Sequence, residues 1–231
     1  MSEPANIDPQ PAVDPLWGYV SAGESRWPSA IAVSAIMVLQ VTLPDRLSLG
    51  PWWLAPLIEA LLLFALVVVG PTHLNAESRD LRIVALAVLG VLIVSDGSSL
   101  GLLVHHLLQS NSNVSGRTLI YSAVAVWFTA LVAFGLWFWE IDRGGPIKRC
   151  TPEHDRPDFL FPQMQSPGAT VEPWTPRFTD YLYLSFTNST AFSPTDTMPL
   201  TGRAKALMAA QSLASLTTIV VVGARAVNIL N

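Results

Sequence analysis

Long runs without charge, separated by short polar breaks, set the pattern of this chain. Pro28 to Pro44 holds no charged residue, near the short limit for crossing about 30 Å of hydrocarbon. Asp45-Arg46 and Gly50-Pro51 break that run, and a second apolar segment, Trp52 to Gly70, carries Glu59. Trp52-Trp53 stand where an aromatic belt meets the membrane surface. Beyond the polar stretch Pro71–Arg82, a third segment from Leu81 to Leu108 is interrupted by Ser95-Asp96-Gly97-Ser98-Ser99. A glycine and small hydroxyls beside an acid predict a kink or local unwinding there. Gln109–Arg117 leads to a fourth segment, Thr118–Trp139, which ends in Trp137, Trp139 and Glu140. A fifth, Ala204–Ile229, is charge-free from Ala206 to Ala224. The pattern predicts five transmembrane helices.

Three stretches break this rhythm. Residues 1–26 are Pro-rich and polar, an arm with a short interfacial piece at Leu16–Val20. Between Arg143 and Arg177, seven prolines forbid a long helix, while Phe159, Leu160, Phe161 and Trp174 offer apolar anchors. Phe178 to Pro199 is too short and too polar to cross a bilayer. It opens with an amphipathic run, Tyr181 to Phe186, continues through Thr187, Asn188, Ser189 and Thr190, and ends in a Pro-containing turn with Asp196. Short helix, polar turn and return describe a re-entrant loop, tolerated at membrane depth only where protein buries it or it lines water. The expected fold is therefore an all-α integral membrane protein: a polar arm (1–26), a three-helix region (27–116), and a pore-like module (117–231) of helix, Pro-rich segment, re-entrant loop and helix.

Composition fits this picture. Of 231 residues, 51% are hydrophobic and 13% charged, with a mean hydropathy of +0.42; soluble domains carry about 25% charge. A net charge of −4 is too small to imply a nucleic acid or another strongly charged partner. Cys150, the single cysteine, excludes an intrachain disulfide. The first 26 residues lack the apolar core of a cleavable signal.

The order Tyr183-Leu-Ser-Phe, then Thr190-Ala-Phe-Ser-Pro-Thr-Asp196, then Pro199 resembles the pore loop of the two-helix potassium-channel family. Aligned without gaps, Ala191 falls on the filter threonine, Phe192 on the valine, Ser193 and Thr195 on the two glycines, Pro194 on the tyrosine, and Asp196 matches. The chain is also similar to an uncharacterised family of bacterial integral membrane proteins, a likeness that implies a fold and a plasma-membrane location but no activity. The departures argue against a potassium filter. Its carbonyl ladder needs backbone angles that glycine adopts freely and that Ser193 and Thr195 do not, and Pro194 fixes its own φ.

The candidate site residues follow. Thr190, Ala191, Phe192, Ser193, Pro194, Thr195 and Asp196 form the filter-like loop. Tyr183, Ser185, Phe186, Thr187 and Asn188 lie on the pore helix. Gln211, Ser212, Ser215 and Thr218 on the last segment either wet a pore or bond across a helix contact; both readings stay open. Asp96 and Glu59 are intramembrane acids, which usually face a bundle interior or water. Asp196 has a structural reading too: Asp196, Thr197 and Thr201 are all good helix N-caps. His105 and His106 read as interfacial packing, and Arg203 and Lys205 as side chains snorkelling at a helix end. No enzyme signature, metal motif or cofactor site is present.

With five crossings, ten of the basic residues, including Arg143, Arg149 and Arg203, share one face with the loop, and Arg46, Arg117 and Arg225 take the other. Positive residues favour the cytoplasm, which puts the loop on that side. The expected function is conduction of cations or small solutes by a homo-oligomer, a tetramer on the channel resemblance. The alternative is a non-conducting membrane scaffold or partner-binding protein that keeps a channel-like fold.

Overall fold

The computed structural model describes residues 27–41, 53–54, 56–58, 60–61, 79–108, 116–146, 148–151, 155–166, 174–190 and 196–230. The expectations for the N-terminal arm, Glu59 and the loop positions Ala191 to Thr195 lie outside the described residues.

The chain is mostly helical. Among the described residues five longer helices order it, beside a four-residue helix at Pro162–Gln165: α1 (Trp27–Val41), α2 (Arg79–Leu108), α3 (Gly116–Ile141), α4 (Phe178–Thr190) and α5 (Gly202–Leu230). Three carry apolar stretches long enough to cross a bilayer: Arg82–His105 in α2, Thr118–Gly144 from α3 into its end turn, and Gly202–Gly223 in α5. At 15 residues, α1 rises about 22 Å. α2 is one unbroken helix, so the local unwinding expected at Ser95–Ser99 does not occur. A serine or glycine lowers helix propensity without forbidding the state. The Ser98 hydroxyl donates back to the Ser95 carbonyl at 2.7 Å, keeping that polar group inside the helix.

α3 is the central post. α1, α2, α4 and α5 all pack on it, and its buried side chains include Ala123, Val126, Leu131, Phe134 and Phe138. One core cluster joins α1, α2, α3, α4, α5 and the segment between α3 and α4.

The described residues of the Pro-rich segment fold as short pieces. Arg143, Gly144 and Gly145 take positive φ of 53°, 85° and 103°, ending α3 in a left-handed turn. A Cβ on Gly144 would lie 2.5 Å from Lys148 Cδ. Phe159–Leu160 (β1) pairs antiparallel with Met198–Pro199 (β2), a small addition to the all-α expectation. The anchors Phe159 and Phe161 are buried, packed edge-on against Tyr181 at ring separations of 6.3 and 5.4 Å. They hold the segment to the helical body as the sequence suggested.

Candidate functional site

α4 is a half-length helix set between two full-length ones. Its start is fixed by Asp180, whose Oδ2 accepts from the Arg177 backbone N–H at 2.7 Å, the reciprocal half of a capping box. Phe178 there packs edge-on against Trp139, near the end of α3. Further along, Ser185 Oγ donates to the Leu131 carbonyl at 2.5 Å. Near the end of α4, the Ser189 carbonyl accepts from Ser215 Oγ at 2.5 Å, and Ser215 accepts from Trp127 Nε1 at 2.7 Å. The contacts therefore run antiparallel along α3 and parallel along α5. At 1.5 Å per residue, the end of α4 lies roughly 20 Å in from the beginnings of α4 and α5. By Met198 the chain is back beside β1. The eight steps from Thr190 can span about 26 Å when extended, enough for that return.

Close approach lets α4 pack directly on α3. A Cβ on Gly135 would meet Leu182 Cα at 3.2 Å and Ser185 Cβ at 3.5 Å, so the backbones of α3 and α4 touch where the side chain is absent.

A seam of amides and hydroxyls joins α4 to α5. Gln211 Nε2 donates to the Ser185 carbonyl at 3.0 Å, to Ser185 Oγ at 2.5 Å and to Ser189 Oγ at 2.7 Å. Asn188 Nδ2 donates to Gln211 Oε1 at 2.8 Å and to the Met208 carbonyl at 3.0 Å. Ser212 Oγ reaches Asn188 Oδ1 at 3.1 Å. Gln211 and Ser215 are buried and bonded across the α4–α5 contact, and Thr218 is buried as well. Within the single chain they therefore do not line an open path. Thr218 donates to its own helix at Ala214. The outward positions Leu213, Leu216 and Val220 are apolar. Thr187 and Thr190 turn their hydroxyls back onto α4, at the carbonyls of Leu184 and Thr187. Tyr183 and Phe186 point outward, Tyr183 at 69% exposure.

At the opposite end of α4 lies a knot of buried charge that the sequence reading missed. Asp142 Oδ1 accepts from the Asp158 backbone N–H at 2.7 Å and more weakly from that of Phe159. Its Oδ2 accepts from the Tyr181 hydroxyl at 2.5 Å. Asp158 takes Arg203 Nε at 2.7 Å and Nη2 at 2.6 Å, and accepts from the Thr201 hydroxyl. Arg149 donates to the carbonyls of Trp139 and Asp142 and lies over the rings of Trp139 and Tyr181. Asp142, Arg143, Arg149 and Asp158 are fully or almost fully buried. Arg203 is thus bound to the Asp158 carboxylate while its side chain stays half exposed. The cap of α5 is Thr201, whose Oγ1 accepts from the Ala204 N–H at 3.3 Å; Asp196 is exposed and does not hold that position. The available signal was the coincidence of Asp142-Arg143, Asp158 and Arg203 in segments flanking one short helix.

Asp96 is half-buried on α2, and His105 is exposed. Among the described residues no cluster of His, Cys, Asp and Glu could hold a metal. A cavity of about 40 Å³ between α1, α2 and α3, lined by Val33, Val88, Leu136 and Trp139 among others, has room for little more than water. No family model, curated protein or solved structure matches the chain.

Proposed function

We propose that the chain is a multi-pass protein of the bacterial plasma membrane whose α3–α4–α5 unit is a re-entrant pore module. In this reading an oligomer of it, a tetramer on the channel resemblance, conducts cations or small solutes past Thr190–Asp196. One observation supports the proposal: α4 runs roughly 20 Å beside two helices long enough to span, and the chain is back beside β1 by Met198. A helix end at such depth, with carbonyls that lack helical partners, fits a lining of water or enclosure by protein. Asp196, repeated around the axis, forms a carboxylate ring at one mouth. Exposed cations on that face, Arg156, Arg177, Arg203 and Lys205, support a cytoplasmic orientation.

The test is liposome flux of monovalent cations, wild type against Asp196→Asn across ionic strength. Flux should fall in the variant, most at low salt where the ring's field is least screened. Equal flux at every salt concentration removes this role from Asp196.

A second reading, a non-conducting scaffold, is favoured by a different observation. Gln211 and Ser215 are engaged within one chain, and the outward face of α5 is apolar. A monomer in nanodiscs, impermeable to cations, decides for it.

A further inference from the structure

A helix that ends at membrane depth leaves its last four carbonyls without helical partners, and together they carry the negative pole of the helix dipole. In a pore module that pole is a ready source of cation preference. Here it is covered from α5 and from α4 itself. Trp127 Nε1 donates to Ser215 Oγ at 2.7 Å, and Ser215 Oγ donates onward to the Ser189 carbonyl at 2.5 Å. The first bond polarises the hydroxyl and strengthens the second. Thr190 Oγ1 takes the Thr187 carbonyl at 3.0 Å. Ser212 Oγ, bonded to Asn188 Oδ1, lies 3.4 Å from the Asn188 carbonyl. Three of the four terminal carbonyls thus have a hydroxyl against them.

We infer that the Trp127–Ser215–Ser189 chain closes the deep end of α4, so that cation preference at the re-entrant loop is set by Asp196 and held down by Ser215. Ser215 is then a specificity-determining residue that acts by occupying a carbonyl, with Trp127 as its positioning residue. This inference rests on the conducting reading above. The chemistry favours a weakly selective path: a carbonyl already accepting a short hydrogen bond has less field to offer a dehydrating cation.

The test uses the full chain in phosphatidylcholine vesicles, with cation-over-anion permeability ratios taken from potassium chloride dilution potentials. Ser215→Ala removes the hydroxyl with little change in volume; Trp127→Phe removes the N–H and keeps an aromatic ring. Both are expected to raise the ratio, Ser215→Ala by roughly two- to fivefold, the effect of releasing a dipole end toward a charge. Asp196→Asn lowers it. Isotope-edited infrared of the Ser189 carbonyl gives a readout that needs no flux: its amide band moves to higher frequency in Ser215→Ala, and less far in Trp127→Phe. Flux with an unchanged or lowered ratio in Ser215→Ala overturns this inference alone, as does an unmoved carbonyl band. Absence of flux in wild type overturns the conducting reading, and the specificity role with it.

Discussion

Tyr181→Phe isolates the hydrogen bond at the centre of the charge knot. The phenol is fully buried, and its hydroxyl donates to Asp142 Oδ2 at 2.5 Å. The substitution removes one oxygen and leaves the ring where it is. Ring contacts with Phe159 and Phe161, and the Arg149 guanidinium over the ring at 5.2 Å, are retained. The loss is then confined to one bond. Among the described residues Asp142 Oδ2 then keeps Arg143 Nε, at 3.7 Å, outside hydrogen-bond reach. A hydrogen bond to a charged group contributes about 1.5–3 kcal/mol net. For a chain of this length each kcal/mol moves the thermal midpoint by about 2–4 °C, so the variant should melt roughly 3–12 °C lower. Intrinsic tryptophan fluorescence during heating in mild detergent reads this out. Tyr183→Phe on the outward face is the control, and it should stay within about 0.5 kcal/mol of wild type. Combining Tyr181→Phe with Asp142→Asn should lower the midpoint by less than the sum of the two separate losses, because the bond they share is lost only once. A midpoint shift equal to the Tyr183→Phe control refutes the assignment of Asp142 as the acceptor that organises this end of the molecule.

Gly135→Val forces a branched side chain against the Leu182 backbone, which lies 3.2 Å from the Cβ position. It should lower the thermal midpoint and, by moving Ser185 off the Leu131 carbonyl, expose cysteines placed along α4 to membrane-impermeant thiol reagents. Asp158→Ala leaves Arg203 without its carboxylate, a loss of about 3–5 kcal/mol for a buried pair. The lower end applies because the Arg203 side chain is 49% exposed, and the melting curve should show it. The hydrogen bond from Lys148 holds the Asp155 carboxyl below its ordinary value. A depressed folded-state pKa gives stability that is present above the unfolded value of 3.8 and is lost as pH falls through the folded value. The midpoint of wild type should therefore exceed that of Asp155→Asn at pH about 6 and converge with it below pH about 4. The difference should be small, as for an exposed pair.

The spans were legible because hydrocarbon imposes a simple demand: an uninterrupted apolar run of sufficient length. Arg82–His105, Thr118–Gly144 and Gly202–Gly223 overlap the third, fourth and fifth runs read from the sequence. The half-helix was legible for the opposite reason, because Thr187-Asn188-Ser189-Thr190 is too polar to be lipid-facing. What the pattern did not reveal was the direction in which polar side chains face. Gln211, Ser212 and Ser215 lie on an apolar helix at spacings that suit a wet pore and a dry seam equally. The difference lies on α4, where Ser185, Asn188 and Ser189 recur at the matching spacing and present acceptors and donors to them. Two helices must be read together before either face can be assigned.

The charge knot was hidden for a related reason, and it changes how the basic residues count. Reading Arg143, Arg149 and Arg203 as surface charge treats them as reporters of membrane orientation. In the structure Arg203 is bound to Asp158, while Arg143 and Arg149 are buried. Arg149 is held by two carbonyls and two aromatic rings. Such groups cost desolvation free energy, and a buried pair is weak evidence of net stability. Their physical consequence is restriction. A carboxylate buried at the end of α3 tolerates few arrangements, and Asp142 selects the one in which β1 and Tyr181 converge on it. Asp158 does the same for Arg203 and Thr201 at the start of α5. The starts of α4 and α5 are thereby pinned at one level beside the end of α3. With both starts fixed and the Gln211 seam setting register along their length, the depth reached by the end of α4 follows from its 13 residues. The knot at one face and the polar seam within the body thus act on the same quantity, the position of Thr190.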